Sequence, residues 1–441
     1  MAPDPSNSAK GIHRTNRLPL EHWGFSAGPD GLRLGTHAVA GLAARLGTPF
    51  YLFDEDQLRR NARRALATAR QHLHGAELFY SLKTNPHPRV LEIVREEGLG
   101  AEAISGRELR AACGAGFAHD GMILNGPGKT DAELRQAMEL GVLVQVESAE
   151  EAHAVCRLAG EGRVVRAGIR INPDIVDDRS LRSTRTGSRV SVFGLDPGGR
   201  GFAETVATLR QAPRVRLESL SAHIGTGIVS VEPFRALCRA LLDVRRRLGA
   251  SIDIRTLDLG GGFAVSSEVR YGEGVFDALE VGEPVTVPRP ESIASFSEVC
   301  AAIAQELGAE RPPRVALEPG RLLVSDAFHL VTRVTRLKEE GGIRFAIVDA
   351  SRAQNALFVG RGFHEMIHAQ RPADRVAHRY TVVGPLCAAF DVFARERGLP
   401  ALAPGDVVMI CDVGAYNLSA QSRWSFDPAP VVGIRGDEVV A

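Results

Sequence analysis

The 441-residue sequence predicts an α/β fold, a TIM (β/α)8 barrel followed by a second, all-β domain of barrel or sandwich type. From Leu78 onward, short apolar runs typical of strands alternate with amphipathic helical segments, which predicts right-handed βαβ units and a parallel sheet. Beyond Arg321 the helical segments give way to short β-type runs separated by turns. An open doubly wound sheet is the alternative for the first part, because strand boundaries are predicted only to within a few residues.

Eight strands account for the predicted barrel, and most of them precede a helix. They are expected near residues 77–83, 100–104, 121–125, 142–146, 165–171, 215–223, 254–259 and 314–318. Asp54 is expected to cap a helix that runs to about Gln71, and further helices are expected near 231–249 and 292–308. Eight strands in this alternation favour a closed barrel over an open sheet.

Two more helices are expected to begin at capping boxes, in which a serine and a glutamate three residues later satisfy backbone N–H groups reciprocally. The pairs are Ser105 with Glu108 and Ser148 with Glu151. Two segments, 173–200 and 264–291, interrupt the alternation and are rich in Gly, Pro and charge. Loops of that length are usually functional lids or disordered segments.

The C-terminal part predicts the second domain. Its β-type runs are 328–334, 344–348, 379–383, 407–410 and 431–434. A strand over 49–53 precedes the barrel. We therefore expect an N-terminal arm (1–47) that packs with the β domain, a barrel (48–325) and the β domain itself (326–441).

Charge and cysteine usage exclude several classes of function. Lys plus Arg and Asp plus Glu each number 53, so no net field favours nucleic acid or a membrane surface. No apolar run is long enough to span a bilayer, and the first ten residues lack the apolar region of a signal peptide. The six scattered cysteines, without a CxxC pair, argue against a zinc site or a disulfide framework and fit a reducing cytoplasm. The basic run 179–189 is accordingly expected to be a solvated loop.

The stretch 79–85 (FYSLKTN) places Lys83 at the end of an apolar strand, just before a turn rich in proline. Because a buried ammonium is costly, the pKa of this lysine is expected to fall, and a neutral amine can form a Schiff base. The alternative is a lysine that extends its ammonium to solvent along the protein surface.

Polar residues lie at the predicted carboxyl ends of the barrel strands, where TIM barrels form their active sites. These residues are Lys83, Glu102, Asn125, Glu147, Arg170, His223, Gly260 and Glu318. So many polar groups at one rim favour a functional site over a purely structural scaffold.

Two glycine-containing motifs follow the sixth and seventh strands. Gly260, Gly261 and Gly262 let backbone N–H groups close around an anion, and TIM barrels commonly bind phosphate in the loops after strands seven and eight. His223 is followed by Thr226 between two glycines, which also suits phosphate. The alternatives are a tight turn for the glycines and an ordinary core residue for the histidine.

The eighth strand ends in Glu318-Pro319-Gly320-Arg321. The two charges could form a structural ion pair, but at a barrel mouth Arg321 suits a phosphate and Glu318 suits a cationic ring nitrogen. A lysine, a phosphate site and a carboxylate for a ring nitrogen together favour pyridoxal 5′-phosphate (PLP) as the cofactor.

Six motifs in this order, FYSLKTN, HIGTG, DLGGGF, EPGR, GPLC and GAY, resemble those of the fold-type III PLP-dependent decarboxylases. This family includes diaminopimelate, ornithine and arginine decarboxylases. The resemblance covers roughly residues 48–430, nearly the whole chain.

The resemblance implies roles for the matching residues. Lys83 would carry PLP as a Schiff base, His223 would stack on its ring, and Glu318 would keep the ring nitrogen protonated. The residues implied to hold the phosphate are Thr226, Gly260, Gly261, Gly262, Arg321 and Tyr416. Cleavage of the Cα–carboxylate bond leaves electron density that a protonated ring accepts. The related racemases would be expected to carry an arginine in place of Glu318.

The resemblance also implies a head-to-tail homodimer whose active sites take Cys387 from the partner subunit. Without the resemblance, Cys387 would be interpreted as an ordinary core cysteine. As a family member it is implied to be the acid that protonates the carbanion after carbon dioxide leaves.

The sequence departs from the diamino-acid enzymes next to this cysteine. They usually carry an acidic residue there for the distal ammonium of the substrate, whereas this chain has Ala388 and retains an acid only at Asp391. Arg361 lies in a segment that also differs from the diaminopimelate enzymes, and it is a candidate substrate ligand together with Asp391. An alanine cannot pair with an ammonium.

We therefore expect a PLP-dependent decarboxylase of a non-standard amino acid, a carrier-linked amino acid, or a siderophore or antibiotic intermediate. The run Asn125 to Thr130 favours such a branch of secondary metabolism. The alternatives are a diaminopimelate decarboxylase, a PLP-dependent racemase or epimerase, and a PLP-binding homologue without catalytic activity.

Overall fold

The structure is a computed structural model that describes residues 18–160, 164–176, 186–188, 191–265, 267, 269–270, 293–355 and 362–440. The chain divides into two compact units. One, the barrel unit, comprises 61–264 and 293–322. The other, the β unit, comprises the described residues within 1–60, 265–292 and 323–441. Much of both predicted interrupting loops, including most of the basic run 179–189, lies outside the described residues.

The barrel unit contains eight parallel strands that form a closed barrel, so the prediction of a TIM barrel is confirmed. Each strand pairs with its neighbours in the chain, and the eighth pairs with the first. The strands are Ala76–Ser81, Gly100–Ala103, Met122–Leu124, Leu143–Val146, Val165–Arg170, Val215–Ser221, Thr256–Asp258 and Arg314–Leu317. Because all eight run in one direction, their carboxyl ends meet at one rim.

Helices lie between these strands. They are Pro88–Glu96, Gly106–Gly114, Asp131–Leu140, Ala149–Ala159, Arg200–Gln211, Glu232–Leu248 and Phe296–Leu307, and the long helix Glu55–His72 precedes the first strand. Asp54 caps this long helix as predicted, since its Oδ1 accepts the Gln57 N–H at 2.9 Å. Amphipathic patterning explains why the helices bury one face, as in Glu232–Leu248, whose Phe234, Leu237 and Leu241 are buried.

The helix starts differ in one detail from the prediction. Ser105 and Ser148 do accept the N–H of the glutamate three residues later, but each glutamate side chain accepts the N–H of the residue before the serine instead. Complete capping boxes occur at Thr130 with Glu133 and at Ser295 with Glu298.

The β unit is built around a nine-stranded sheet. Its strands are Phe50–Asp54, Phe328–Glu340, Ile343–Val348, Met366–His368, His378–Val383, Val392–Leu399, Val407–Ile410, Val431–Arg435 and Glu438–Val440. All five predicted C-terminal strands are present. Phe50–Asp54, placed in the barrel by the predicted boundary at residue 48, pairs instead with Phe328–Glu340 and Val431–Arg435.

The N-terminal segment packs onto this sheet through apolar side chains. It contains a three-stranded antiparallel sheet (Phe25–Gly28, Gly31–Leu34 and His37–Ala38) and the helix Val39–Leu46. Trp23 is fully buried in the same apolar core as Met409, and its indole Nε1 donates to the Asp412 carboxylate at 3.0 Å. Burying an aromatic side chain with its N–H satisfied stabilises the attachment of this segment.

Three smaller elements remain. The helix Arg321–Val324 begins where the barrel unit ends, the helix Arg352–Asn355 belongs to the β unit, and the strands Val269–Arg270 and Gly362–Phe363 of the β unit pair antiparallel. Among the described residues, no helix combines the length and the apolar composition that crossing a membrane requires.

Candidate active site

Lys83 follows the first barrel strand, in a short 3-10 turn over Leu82–Thr84. Its Nζ donates to Oε2 of Glu102 at 2.7 Å, and the same oxygen accepts from Ser81 Oγ at 2.5 Å. The Glu102 side chain is 1% exposed and the Lys83 side chain 34% exposed, so the amine reaches a buried carboxylate from a more open position. The pair places the Lys83 amino group at the rim, where the sequence predicts it.

Asn125 connects this pair to the opposite side of the rim. Its Nδ2 donates to Oε1 of Glu102 at 3.2 Å and to Oε1 of Glu318 at 2.7 Å. Glu102 ends the second strand, Asn125 follows the third, and Glu318 follows the eighth. Barrel closure, which makes the first and eighth strands neighbours, therefore brings three residues far apart in sequence into one hydrogen-bonded network.

Glu318 lies beside a second buried acid, Asp258. Burial, followed by the negative charges of Asp258 and Glu102, raises the pKa of Glu318 well above its usual range. Burial likewise raises the pKa of Asp258 to about 6, although its Oδ1 accepts the Gly260 N–H at 2.9 Å. Two adjacent buried carboxyl groups cannot both ionise cheaply, so in the cofactor-free protein this pair holds a proton to a higher pH than an isolated carboxyl would.

His223 and the glycine loop contact each other at the same rim. The Gly261 N–H donates to Nδ1 of His223 at 3.1 Å, so Nδ1 is an acceptor and the neutral ring carries its proton on Nε2. Burial, with the nearby cations Arg170 and Lys83, lowers the pKa of His223 to about 3. A neutral, flat imidazole at the barrel mouth is suited to stacking on the face of an aromatic ring.

The glycines are required by close approach of the backbone. Gly260 and Gly262 have φ values of +62° and +92°, in the left-handed region that favours glycine. A Cβ on Gly261 would lie 2.2 Å from the Glu318 carbonyl oxygen. The loop therefore packs directly against the end of the eighth strand, and any side chain there would displace it.

The other predicted rim residues lie at the carboxyl ends of the barrel strands. Arg321 is buried, and Thr226 is half-buried in the loop after the sixth strand. Arg170 donates to Oε1 of Glu147 at 3.0 Å, and Glu147 also accepts the Gly126 N–H at 2.9 Å. These last two residues form a buried ion pair whose acceptor also fixes the loop after the third strand.

Three predicted site residues belong to the β unit. Cys387 is exposed, and Tyr416 is half-buried with a φ of +66°. Asp391 is 2% exposed, and its carboxylate accepts the Leu386 N–H at 2.8 Å and the Arg352 N–H at 2.7 Å. Asp391 therefore fixes the turn that carries Cys387. Arg361 lies outside the described residues.

Sequence reasoning missed two features of the site. It placed Asn125 at the rim without recognising that its amide joins two carboxylates, and it assigned nothing to Asp258. The signal for Asp258 was available, since an aspartate between two leucines in an apolar strand is buried and needs a partner. No comparable signal predicts the Asn125 contacts, because they depend on which strands become neighbours.

The site fits PLP by the chemistry of its groups. It offers an amine at Lys83, a buried guanidinium at Arg321, a glycine loop that no Cβ could enter, and a carboxyl at Glu318. An aldehyde, a phosphate and a basic ring nitrogen match these groups.

Comparison with known proteins supports the same conclusion. Residues 59–325 match the family model described as pyridoxal-dependent decarboxylase, pyridoxal binding domain. The chain is 32% identical over 406 residues to the diaminopimelate decarboxylase of Methanothermobacter thermautotrophicus, covering 90% of this chain and 89% of that protein. It is 33% identical over 394 residues to the diaminopimelate decarboxylase of Pseudomonas aeruginosa, covering 88% of each.

Among solved structures, the chain is similar to diaminopimelate decarboxylase from Helicobacter pylori in complex with L-lysine. The identity is 26%, the TM-score is 0.75, and the match covers 89% of this chain and 93% of that one. The chain belongs to the fold-type III PLP-dependent decarboxylases. It is a carboxy-lyase of amino-acid metabolism with PLP as its cofactor.

The comparisons contradict the prediction of a substrate from secondary metabolism. Relatives about 30% identical over most of the chain are named diaminopimelate decarboxylase, which favours the alternative interpretation. The prediction was wrong because it rested on few positions, chiefly Ala388 and the run from Asn125 to Thr130.

Proposed function

We propose that this chain removes one carboxylate of diaminopimelate, a dicarboxylic diamino acid, and so forms lysine and carbon dioxide. The similarity to enzymes of that name over about nine tenths of the chain carries the proposal. The likeness to a solved relative in complex with L-lysine adds support, since lysine is what remains when diaminopimelate loses one carboxylate.

The barrel rim supports a specific division of roles. Lys83 would bind the cofactor aldehyde, and Glu318 would face the ring nitrogen. His223, neutral because of its lowered pKa, would pack on the ring face. Arg321 and Thr226, with the backbone of Gly260, Gly261 and Gly262, would bind the phosphate, and the family resemblance implies the same role for Tyr416.

When bound, PLP supplies a protonated ring that accepts the electron pair released with carbon dioxide. Glu318 favours that protonated state because a carboxylate stabilises a cation on the ring nitrogen. Glu102 holds the Lys83 amine at 2.7 Å, which orients it toward the barrel mouth. Cys387 would then donate a proton to the carbon that has lost its carboxylate, and Asp391 positions the turn that carries this thiol.

The proposal is tested by carbon dioxide release from meso-diaminopimelate, ornithine and arginine, with lysine measured as the product of the first. We expect release from diaminopimelate by the wild type and by Lys338→Ala, which alters a surface lysine of the β unit. Lys83→Ala should release none. Borohydride, which reduces a Schiff base to a stable secondary amine, should remove the cofactor's visible absorption band and leave the cofactor covalently attached in the wild type and Lys338→Ala alone. Release from ornithine or arginine but not from diaminopimelate would overturn the assignment of substrate.

We also propose that the active form is a homodimer in which Cys387 serves the active site of the partner subunit. The exposure of Cys387 in the β unit supports this, since such a thiol is free to approach another chain. Mixing inactive Lys83→Ala with inactive Cys387→Ala should restore up to about a quarter of wild-type activity, because half of the random dimers then hold one intact site. If each subunit used its own cysteine, the mixture would stay inactive.

A further inference from the structure

Asn125 occupies a point where the two functional carboxyl groups of the rim come together. It is 6% exposed at the end of the third strand, and its Nδ2 donates to Oε1 of Glu102 at 3.2 Å and to Oε1 of Glu318 at 2.7 Å. Glu102 uses its other oxygen, Oε2, for Lys83 and Ser81. One amide therefore bridges the acid that holds the lysine and the acid assigned to the ring nitrogen.

The charges around this bridge explain why the side chain must be a donor. The titratable and charged groups that interact with this network are Lys83, Glu102, Glu108, Arg170, His223, Asp258 and Glu318. Two acids separated by one side chain repel each other when both are ionised. An amide nitrogen presents two N–H groups and can satisfy both acids at once, whereas alanine offers none and an ionised aspartate would add a third negative charge.

We propose that Asn125 is a positioning residue that fixes Glu102 and Glu318 relative to each other and thereby sets the geometry between Lys83 and the ring-nitrogen acid. This inference rests on the roles of Lys83 and Glu318 given under Proposed function. Asn125 acts through these two acids. The side chain thus links three strands of the barrel rim into one rigid unit.

Gln145 provides a matched control. It is a fully buried amide on the next strand, Leu143–Val146, and its Nε2 donates to Ser219 Oγ at 3.0 Å. Within the part of the chain that the structure describes, its side chain makes no hydrogen bond to a carboxylate. Gln145→Ala therefore removes a buried amide from the barrel interior without touching the acidic network.

The first test uses the cofactor-free protein and needs no substrate. Thermal unfolding of wild type, Asn125→Ala, Asn125→Asp and Gln145→Ala is measured from pH 6 to pH 9. A carboxyl placed between two acids resists ionisation, and its protonated form can donate a hydrogen bond as the amide does. The deficit of Asn125→Asp relative to wild type should therefore shrink as the pH falls, while the deficit of Gln145→Ala should stay constant.

The second test uses the cofactor-loaded enzyme and separates kcat from KM. Asn125→Ala should lower kcat about tenfold, with KM changed less than about threefold, because one charge-assisted hydrogen bond to each acid is lost. Asn125→Asp should lose more at pH 9 than at pH 6, and the pH dependence of the cofactor's visible absorption should shift in the same variant. Gln145→Ala should leave kcat and the absorption profile within about twofold of wild type.

The proposal is overturned if Asn125→Asp shows a deficit independent of pH, or if Asn125→Ala resembles Gln145→Ala in both tests. If Asn125→Ala does not fold, the isosteric Asn125→Asp still tests the proposal, because its stability deficit either shrinks as the pH falls, as expected, or stays independent of pH. A failure of the wild type to decarboxylate diaminopimelate would overturn the proposed substrate only, since the unfolding test is independent of any substrate.

Discussion

Glu102 and Glu318 are the same residue type, nearly equally buried, and share the Asn125 amide, yet their pKa values shift in opposite directions. Burial alone raises both. At Glu102 the charge of Lys83 and the hydrogen bonds from Lys83, Ser81 and Asn125 outweigh burial and lower the pKa. At Glu318 the negative charges of Asp258 and Glu102 add to burial and raise it. One rim therefore holds, within reach of one side chain, an acid whose pKa is lowered and an acid whose pKa is raised.

The difference shows that neighbours, more than burial, decide what a buried carboxyl can do. Glu102, with its negative charge fixed, can hold and orient the Lys83 ammonium. Glu318, whose pKa is raised beside Asp258 in the cofactor-free protein, lies at the position assigned to a basic ring nitrogen. The two acids are thereby suited to different tasks, although in the sequence both are simply strand-end glutamates.

The largest expected effect is on kcat, and it appears when each of the two acids is replaced by glutamine in turn. Glu318→Gln should lower kcat on the order of a hundredfold or more, because a neutral amide does not stabilise a protonated ring nitrogen. Glu102→Gln should cost less, on the order of tenfold, because the amide oxygen can still accept from Lys83 or Ser81. Steady-state kinetics of both variants at one pH make the comparison.

A second measurement, the visible absorption of the bound cofactor, also distinguishes the two variants. The visible absorption of the bound cofactor should change in Glu318→Gln, whereas Glu102→Gln should retain it with altered pH dependence. Equal losses of kcat in both variants, with unchanged absorption, would contradict a division of roles between the two acids.

The sequence predicted the barrel well because its signals are local and repeated. Most strands are short apolar runs followed by an amphipathic helix, and the observed strands begin and end within about two residues of most predictions. The rim residues followed from strand ends, because closure of parallel strands fixes where those ends meet. Lys83, Glu102, Asn125 and Glu318 could thus be placed at one edge without a structure.

What the sequence could not supply depends on pairing across long separations. The strand Phe50–Asp54 has the same apolar texture as a barrel strand, and only its partners, Phe328–Glu340 and Val431–Arg435, place it in the β unit. The contact of Asn125 with Glu318 joins residues 193 positions apart. The prediction of the substrate was wrong for a different reason. It gave more weight to the single position Ala388 than to the similarity of the whole chain to diaminopimelate decarboxylases.

The smallest expected effect concerns Asp258. It tests the raised pKa of the pair formed by Glu318 and Asp258, through the pH dependence of the free energy of unfolding. In the folded, cofactor-free protein the pKa of Asp258 is raised to about 6 and that of Glu318 is raised well above its usual range, whereas both ionise at about pH 4 when unfolded. Between these values the folded state binds more protons than the unfolded state, so the free energy of unfolding must fall as the pH rises.

Asp258→Asn should reduce the decrease in the free energy of unfolding that accompanies a rise in pH. The amide oxygen introduced by the substitution can still accept the Gly260 N–H, and the like charge beside Glu318 is gone. Between pH 5 and pH 8, the variant should lose on the order of 2 kcal/mol less unfolding free energy than the wild type, measured by chemical denaturation without cofactor. Glu92→Gln, which removes an exposed acid from the barrel unit, should retain the wild-type slope. An equal slope in Asp258→Asn would mean that the pair holds no shared proton, and the contrast between Glu102 and Glu318 would then rest on Lys83 alone.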